Sequence, residues 1–482
     1  MSDLRSRLQT MFQEANRFDA FGNILMRMQV RGFRCHANTI IDVQSPITAF
    51  CGLNGTGKST LLQLAAVCYR HDGERPYYVS DFLVVGALDP NPFTADASVE
   101  FKYWQEKRSV RTLTLSRSSK SSRWQGYRRR PERTVFFAGM GLYLPRIEKR
   151  DFIVREARKL TIEDATNIDQ RINRCASRIL ARSYQTMQTN VVKYFKRSGK
   201  VVSVERSDKT YSEAHMGCGE GRAIHLVTAL EGLPDQSLVL IEEPETSLHP
   251  SAQYEFGRYL VEVCIEKRHQ IILSTHSEFI LEALPSASRI YLKETSTGVE
   301  PFIGLTASQA KSLMAQGQVK ALSILVEDEC AASVLREIIR SIDQTFLRSI
   351  GIHPAGDCDT IAKTVRTLQT TGLPIAAVRD ADRGTDPSNN IFALPGSEPP
   401  EKEIFKNDVV KQYLERTYGI VMRDIEVSLN QIDHHDWFGH LAGTINHDKI
   451  ALLNETSRLY AASLSENDRT ALTEQLKEAV RR

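Results

Sequence analysis

The sequence lacks long apolar runs, paired cysteines and internal repeats, and each absence excludes a class of protein. No run reaches the ~18 apolar residues of a membrane helix, and the N-terminus lacks the apolar stretch of a signal peptide. The 8 cysteines are scattered without C-x-x-C pairs or zinc-finger spacing, which favours free thiols in a reducing compartment. Heptad runs long enough for a coiled-coil arm are also missing. We therefore expect a cytoplasmic protein that has no membrane partner.

Charge gives little indication of a partner when it is summed over the whole chain. There are 62 lysines and arginines against 59 aspartates and glutamates, a net charge of +3. The 482 residues are enough for several domains, and 41% hydrophobic with 25% charged residues is ordinary for a globular protein. Local motifs are therefore more informative about function than composition.

The segment Gly52–Ser59 fills every fixed position of the phosphate-binding pattern G-x-x-x-x-G-K-[ST]. Residues 45–51 before it are typical of a buried strand, and residues 60–67 after it are typical of a helix. In such a P-loop, backbone N–H groups surround phosphate, Lys58 reaches the β- and γ-phosphates, and the Ser59 hydroxyl binds Mg²⁺. We therefore expect ATP with Mg²⁺. The residues predicted to bind the nucleotide here are Gly52, Asn54, Gly55, Gly57, Lys58, Ser59 and Thr60.

A second motif places two acids at the end of an apolar strand. Residues 238–241 are apolar, and Glu242, Glu243 and Pro244 follow at once. Unpaired carboxylates at a strand end are costly unless a cation or a reacting water lies nearby. We predict that Glu242 supports Mg²⁺ and that Glu243 polarises the attacking water. An acidic turn that merely caps the strand is the alternative.

Three further features are typical of an ATPase site. The glycine-rich turn with Gly219 and Glu220 resembles the signature motif of ABC-type ATPases, although Cys218 stands where that motif usually has serine. His276 ends a strand and resembles the switch histidine that senses the γ-phosphate, and Arg34 stands where such ATPases carry a phosphate-contacting arginine. An ordinary helix cap, a structural histidine and a solvated turn arginine are the alternatives.

Taken together, residues 23–290 resemble the ABC-type ATPase heads of SMC proteins and of the overcoming-lysogenization-defect (OLD) family. The strings Glu242–Glu245 and Leu248–Pro250 are particularly similar to OLD-type heads. The resemblance implies that two protomers enclose two ATP molecules and that each signature segment acts on its partner's nucleotide. A homodimer or a higher oligomer is therefore expected.

A second acidic site follows in the C-terminal part of the chain. The predicted strand 322–326 ends in Glu327, and the predicted strand 373–378 leads to Asp380 and Asp382. Acids at the carboxyl ends of two strands of one sheet can hold Mg²⁺ or Mn²⁺. Two such ions ~4 Å apart would stabilise the attacking and leaving oxygens of phosphodiester cleavage. The pattern resembles a TOPRIM domain, which OLD-family proteins fuse behind the same ATPase head.

Two positions depart from the TOPRIM pattern, and a fourth acid remains to be chosen. Asp328 follows Glu327 where glycine is common, and Ala331 stands where an acid is often found. The OLD resemblance implies a late metal ligand, for which Glu401 and Glu403 are candidates and Glu403 is selected. A solvated charged turn is the alternative for both.

The segment 102–133 is the most basic part of the chain, and Trp104, Trp124 and Tyr127 are interleaved with its charges. Such a segment could bind nucleic-acid phosphates and stack on bases, with DNA favoured over RNA. An exposed charged hairpin is the alternative. The basic residues are Lys107, Arg108, Arg111, Arg117, Lys120, Arg123, Arg128, Arg129 and Arg130.

Histidines cluster once, at positions 434, 435 and 440. Their spacing matches no known zinc motif. A structural role or a substrate contact is favoured over a metal centre, and no site is assigned.

The sequence therefore predicts an α/β fold with an ABC-type P-loop ATPase head over residues 1–315 and a smaller TOPRIM-like α/β domain over 316–482. The head would contain a basic insertion at about 102–133 and a helical region at about 147–196, and the second domain would end in a helical extension. The leading functional hypothesis is an OLD-like ATP-dependent endonuclease in anti-phage defence. One alternative is a regulatory ATPase that controls a separate nuclease subunit, as in Septu-like systems. The other is an SMC-like DNA-binding repair ATPase.

Overall fold

The computed structural model divides into two compact units, Met1–Ala310 and Lys311–Arg482. The division falls within the helix Ala307–Met314, next to the predicted boundary at residue 315. The basic residues Lys107, Arg108 and Lys120 lie outside the residues that the structure describes. The structure describes residues 2–70, 75–105, 109–117, 123–316, 318–370, 373–429 and 432–481.

The first unit combines three sheets with helices. Its strands are β1 (Ile24–Phe33), β2 (His36–Asp42), β3 (Ile47–Gly52), β4 (Phe93–Gln105), β5 (Ser109–Arg117), β6 (Trp124–Gln125), β7 (Val135–Ala138), β8 (Thr161–Asn167), β9 (Thr186–Tyr194), β10 (Arg197–Arg206), β11 (Lys209–Ser212), β12 (Leu238–Glu242), β13 (Gln270–Ser274), β14 (Arg289–Thr295) and β15 (Gly298–Ile303). Its α-helices are α1 (Ser2–Phe12), α2 (Arg17–Phe21), α3 (Lys58–Ala66), α4 (Val79–Phe82), α5 (Arg146–Lys149), α6 (Phe152–Arg155), α7 (Gln170–Leu180), α8 (Cys218–Gly232), α9 (Pro250–Lys267) and α10 (Glu278–Ala283), before α11 (Ala307–Met314) at the division.

A six-stranded sheet in the order β15-β14-β3-β13-β12-β7 forms the centre of this unit. All its neighbours pair in parallel except β14 and β15. Every residue of β3, β12 and β13 is buried, as expected for parallel strands covered on both faces. Because β13 lies between β3 and β12, the P-loop, the paired acids and His276 come to one edge of the sheet.

A five-stranded antiparallel sheet in the order β2-β1-β4-β5-β6 packs into the same core. The predicted hairpin between residues 23 and 43 is confirmed, since β1 and β2 pair antiparallel. The alternating segment before the basic stretch is confirmed as part of β4. Where the structure describes it, the basic stretch includes the end of β4 and the strands β5 and β6, which pair antiparallel.

The prediction of a helical region at 147–196 is wrong for much of that range. Strands β8 and β9 pair there, in a four-stranded antiparallel sheet with β10 and β11. Only one helix of the region, α7, is longer than four residues. All seven side chains of β8 are exposed, so this strand has no buried face to create an apolar–polar alternation.

The second unit is built on a four-stranded sheet in the order β17-β16-β18-β19, in which every pair is parallel. The central position of β16 puts its carboxyl end beside that of β18. After β19 the described residues form six α-helices, in the range predicted as a helical extension. The elements are β16 (Leu322–Val326), α12 (Glu329–Ile342), α13 (Gln344–Ser349), β17 (Ile350–Pro354), α14 (Cys358–Gln369), β18 (Ile375–Arg379), β19 (Ile391–Ala393), α15 (Pro400–Lys406), α16 (Asp408–Tyr418), α17 (Met422–Leu429), α18 (Trp437–Thr444), α19 (Lys449–Ser463) and α20 (Glu466–Arg481).

The core of the second unit is formed by the sheet, α12 and the C-terminal helices. Ile324, Ile338, Phe405, Leu452 and Leu476 belong to one buried cluster. In both units, no helix among the described residues is long and apolar enough to span a bilayer.

Candidate functional site

The P-loop connects β3 to α3 through backbone that favours glycine. Gly52, Gly55 and Gly57 have φ values of 145°, 85° and 79°. A β-carbon on Gly57 would lie 2.1 Å from Nε2 of His36, which instead donates a hydrogen bond to the Gly57 carbonyl at 3.1 Å. His36 therefore fixes the start of the P-loop helix, a role that the sequence did not reveal.

Lys58 is held against its own loop. Its Nζ donates to the carbonyls of Gly52 and Leu53 at 3.0 and 2.8 Å. Burial lowers the pKa of the Lys58 ammonium, and Glu243 partly opposes this shift. Within the loop and the first turn of α3, the exposed residues are Asn54, Gly55 and Ser59.

Arg34, the predicted phosphate-contacting arginine, lies beside the P-loop helix. It adopts a positive φ of 49° in the turn between β1 and β2. Its Nη1 donates to Oγ1 of Thr60 at 3.4 Å. A positively charged side chain thus stands at the first turn of α3, next to the loop that would bind phosphate.

The paired acids occupy different environments. Glu242 is the last residue of β12 and is buried, with Oε2 accepting a hydrogen bond from the Met140 N–H at 3.3 Å. Glu243 turns out of the strand with φ 41°, and its side chain is 38% exposed. A water molecule can therefore reach Glu243 more readily than Glu242.

Glu243 and His276 face each other across the edge of the sheet. Oε1 of Glu243 lies 3.6 Å from Nε2 of His276. Burial and the nearby Lys58 lower the pKa of His276. The imidazole is therefore neutral at pH 7, and it can donate or accept a hydrogen bond according to its tautomer. The structure thus brings together the predicted catalytic acid, the predicted switch histidine and the P-loop lysine.

Arg222 is a functional candidate that sequence analysis passed over. Its side chain is buried, and its Nη1 and Nη2 donate to the carbonyls of Met140 and Glu242 at 3.2 and 2.7 Å. Burial lowers the pKa of this guanidinium. It lies in the glycine-rich turn segment already singled out, but its partners are backbone carbonyls remote in sequence. Arg222 therefore fixes the strand end that carries both acids.

Glu245 is a second such residue. Its Oε1 accepts hydrogen bonds from the Thr275 hydroxyl at 2.8 Å and from the His276 N–H at 2.6 Å. Burial raises the pKa of Glu245. The acid that follows Pro244 thus positions the backbone of the predicted switch histidine.

The predicted signature residues lie at the start of α8, with Gly217 as its cap. Glu220 accepts hydrogen bonds from the hydroxyls of Tyr184 and Tyr211 at 2.6 and 2.8 Å and pairs with Arg182 at 2.9 Å. A β-carbon on Gly219 would lie 2.1 Å from the Ser247 carbonyl. The Glu220 side chain is therefore engaged within its own unit, and the backbone at the helix start is left as the predicted contact with nucleotide.

The acids of the second unit converge as predicted. Glu327 follows β16, and its Oε1 accepts a hydrogen bond from the N–H of Asp380, which follows β18, at 3.2 Å. Asp380 is 6% exposed, and its Oδ1 has no hydrogen-bond partner in the described part of the chain. Burial and then the charges of Glu327, Asp328 and Asp382 raise the pKa of Asp380 to about 7. A cation bound here would offset both the cost of burying the Asp380 carboxylate and its repulsion from the neighbouring acids.

Asp382 stands at the rim of this cluster. It lies on the short 3-10 helix Ala381–Arg383, and its side chain is 41% exposed. Its Oδ1 lies 3.9 Å from Nε of Arg383. Asp382 is therefore accessible to solvent where Asp380 is not.

The two departures from the TOPRIM pattern belong to the start of α12. The Asp328 side chain accepts a hydrogen bond from the Ala331 N–H at 2.8 Å and caps the helix. Ala331 itself is fully buried. Asp328 therefore has a structural role in addition to its place beside the acids.

Of the two late acids, the structure places Glu401, not the selected Glu403, with the cluster. Oε1 of Glu403 accepts hydrogen bonds from the N–H groups of Ser397 and Glu398 at 2.7 and 3.1 Å and so holds a turn. Glu401 is buried, and burial together with Asp328 raises its pKa. Glu401 is therefore the late carboxylate that adjoins the strand-end acids.

The basic segment is less available to a nucleic acid than the sequence suggested. Arg130 is buried and donates from Nη1 to the carbonyls of Val67 and Tyr77 at 3.1 and 2.7 Å. Trp104 is buried, and Trp124 stacks on Phe33 with ring centroids 5.5 Å apart. The aromatic rings therefore pack inside the unit. Among the described basic residues, the exposed ones are Arg111, Arg123, Arg128 and Arg129.

Comparison with known families identifies an ATPase domain. Residues 144–281 match the family described as the AAA ATPase domain. The match begins after the P-loop and includes Glu242, Glu243 and His276. No curated protein matches the chain. The chain therefore contains an ATPase domain, and ATP is the nucleotide that this domain implies.

Solved structures similar to the chain include three SMC heads. The SMC head domain from Thermotoga maritima is 15% identical with a TM-score of 0.36, and the match covers 58% of this chain and 98% of that one. The Smc head domain from Pyrococcus furiosus, with an extended coiled coil and bound to the C-terminal domain of ScpA, is 12% identical with a TM-score of 0.38, covering 61% and 99%. An SmcHead bound to the C-winged helix domain of ScpA is 14% identical with a TM-score of 0.38, covering 58% and 97%. At these scores the likenesses support no argument about function.

Proposed function

We propose that the chain is an OLD-like ATP-dependent nuclease, with an ABC-type ATPase head over residues 1–315 and a TOPRIM-like nuclease domain over 316–482. The observation that carries the proposal is the meeting of Glu327 and Asp380 at adjacent strand ends, with a buried carboxylate oxygen that has no partner among the described residues. Defence against phage is the biological setting that the family resemblance suggests.

In the ATPase head, the arrangement around β12 and β13 supports hydrolysis by a polarised water. The exposed Glu243 would accept a proton from that water, and His276 would contact the γ-phosphate. Ser59 and Glu242 would hold Mg²⁺, which neutralises phosphate charge when bound. Lys58 and Arg34 supply positive charge at the loop. The start of α8 would complete the site of a second protomer in a homodimer.

In the nuclease domain, the acids fit a divalent cation. Asp380 has a carboxylate oxygen without a partner among the described residues, Glu327 accepts a hydrogen bond from the Asp380 N–H, and Asp382 follows on the 3-10 helix Ala381–Arg383. Mg²⁺ or Mn²⁺ bound there would activate water and stabilise the leaving oxygen of a phosphodiester. The chain's own contribution is to hold two carboxylates on strand ends, where their positions are fixed by the sheet. DNA is the expected substrate, with RNA as the second choice.

One observation favours a second function, that of a regulatory ATPase with a degenerate TOPRIM domain. Asp328 is engaged as the cap of α12, and Ala331 is buried where an acid is often found. A protein of this kind would hold a separate nuclease subunit inactive. In that case the acidic cluster would not cleave nucleic acid by itself.

Incubation of the purified protein with supercoiled DNA and Mg²⁺ or Mn²⁺, with and without ATP, tests the proposal. Cleavage by the wild type that is lost in Asp380→Asn and retained in Asp424→Asn, an exposed acid of α17, would support the nuclease. Lys58→Ala then reports whether ATP is required. If the wild type cleaves neither DNA nor RNA under any of these conditions, the regulatory function replaces the nuclease.

A further inference from the structure

Three side chains of the second unit form a cluster with mixed nitrogen and oxygen donors. One carboxylate oxygen of Glu401 and one ring nitrogen from each of His434 and His435 lie within 4.8 Å of one another. Imidazole together with carboxylate suits Zn²⁺ and the neighbouring first-row ions, whereas Mg²⁺ prefers oxygen ligands alone. This cluster therefore differs in kind from the carboxylates at the strand ends.

Glu401 gives an independent indication of a ligand. Its side chain is only 2% exposed, and within the described ranges its Oε2 has no hydrogen-bond partner. A buried carboxylate oxygen without a donor is strongly unfavourable unless a proton or a cation is supplied. Burial and the adjacent Asp328 raise the pKa of Glu401, as expected for a carboxyl group that lacks a positive partner.

Both histidines have a carboxylate beside them. Nδ1 of His435 lies 3.4 Å from Oδ2 of Asp328, and Nδ1 of His434 lies 3.4 Å from Oδ1 of Asp433. Such a carboxylate either orients the imidazole for a metal at its other nitrogen or shares the ion. Burial lowers the pKa of His434 and so favours the neutral imidazole, which is the form that binds metals.

The two elements that carry the donors are packed together. Phe405 of α15 lies against Trp437 and Phe438, with ring centroids 5.7 and 5.0 Å apart. Nε1 of Trp437 donates to the Leu429 carbonyl at 2.9 Å. The helix with Glu401 and the 3-10 turn with the histidines are thus joined by an aromatic contact, which holds the donor set in place.

We propose that Glu401, His434 and His435 form a binding site for one divalent transition-metal ion of the Zn²⁺ class. The site adjoins the strand-end acids through Asp328, which lies beside His435 and adds its charge to that of Asp380. The inference does not depend on nuclease activity, since a bound ion could serve structure or chemistry. A regulatory ATPase would contain the same site.

The test uses the full chain, purified without a histidine tag and stripped of metal with a chelator. Co²⁺ serves as the visible probe and Zn²⁺ as its competitor. With excess Mg²⁺ present to occupy the strand-end carboxylates, we expect one tightly bound Co²⁺ per chain with ligand-field bands that Zn²⁺ abolishes. His434→Ala, His435→Ala and Glu401→Gln should each weaken Zn²⁺ binding by about 10- to 100-fold or more. His440→Ala is the matched control, because this exposed histidine of the same segment should leave binding unchanged.

A second measurement guards against variants that fail to fold. X-ray absorption of the Zn²⁺-loaded wild type should show two imidazole ligands. Asp380→Asn should retain this Zn²⁺ site even where it abolishes nucleic-acid cleavage, which separates the two proposals. Equal Zn²⁺ affinity in wild type and both histidine variants, an equal loss in His440→Ala, or a spectrum without imidazole scattering would overturn the site.

Discussion

Oε1 of Glu245 accepts a hydrogen bond from the backbone N–H of His276 at 2.6 Å. The acid lies just beyond β12, and the histidine lies just beyond β13. The same oxygen also accepts from the Thr275 hydroxyl at 2.8 Å. A half-buried carboxylate thus links the ends of β12 and β13 and holds the backbone of the predicted switch histidine.

Replacement of Glu245 should slow ATP hydrolysis by displacing His276. We expect Glu245→Ala to lower kcat by about 10- to 100-fold, because small misplacements of a reacting group have effects of this size. The amide oxygen of Glu245→Gln can still accept both hydrogen bonds, so this variant should retain most activity. Phosphate release at saturating ATP measures both variants. Equal kcat in Glu245→Ala and wild type would contradict this role.

Glu243→Gln should separate ATP binding from hydrolysis. Loss of a general base typically reduces rate by about 10²- to 10⁴-fold, whereas the phosphate-binding groups of the loop remain. We therefore expect normal ATP binding, very slow phosphate release and a dimer that persists in ATP. Nucleotide affinity and size-exclusion chromatography in ATP are the measurements, and Glu466→Gln of the second unit is the control. Rapid hydrolysis by Glu243→Gln would exclude Glu243 as the base.

The first unit should lose stability as the pH falls below neutrality because of His269. This fully buried imidazole accepts a hydrogen bond from the Ser237 N–H at 3.2 Å, and burial lowers its pKa to about 4. The unfolded chain takes up a proton near pH 6.5, but the folded chain does so only near pH 4, so the stabilisation present above 6.5 is lost between these values. The expected loss from pH 7.5 to pH 5 is about 2 kcal/mol.

Urea denaturation at the two pH values measures this effect. His269→Gln should be less stable than wild type at pH 7.5, and the difference between the two proteins should shrink at pH 5. A difference that stays constant would show that His269 does not titrate on unfolding.

If the basic segment binds DNA, its exposed arginines should carry the salt dependence. Charge reversal at Arg128 and Arg129 should flatten the slope of log K against log salt by about 1 for each phosphate that is no longer neutralised. Arg158→Glu, an exposed arginine elsewhere in the unit, is the control. Fluorescence anisotropy with a DNA duplex over a range of salt gives the slopes, and identical slopes would remove this segment from the binding surface.

Arg130 should behave differently from its two neighbours. Because its buried guanidinium donates to the carbonyls of Val67 and Tyr77, Arg130→Ala removes both of these hydrogen bonds. We expect a stability loss of about 1–3 kcal/mol without any specific effect on the salt slope. Thermal unfolding of Arg130→Ala beside Arg129→Ala would test this contrast.

The parts of the site that sequence could predict are those whose information is local. The P-loop and the acids at the strand ends are each a run of neighbouring residues, so the sequence alone indicates their chemistry. Arg222 and Glu245 were missed because their partners are groups remote in sequence that only the fold brings close. β8 was missed because a fully exposed strand has no apolar alternation.

The choice between Glu401 and Glu403 also could not be made from sequence, although the two residues lie within one turn of the same helix. Residues two apart on a helix point in nearly opposite directions, so one meets the acids and the other meets the turn before α15. Sequence placed both acids in the right segment. Only the position of the helix start relative to the sheet decides which of the two carboxylates faces the cluster.

The middle strand of the ATP site is the last of its three strands to be synthesised. β13 pairs with β3 on one side and with β12 on the other. A nascent chain that has emerged through Glu243 therefore carries the phosphate loop and both acids but lacks the strand that pairs with both β3 and β12. Loop closure over such a separation is slow, and the sheet can form only when β13 enters between its neighbours. ATP should therefore bind late in folding, as a step that follows completion of this sheet.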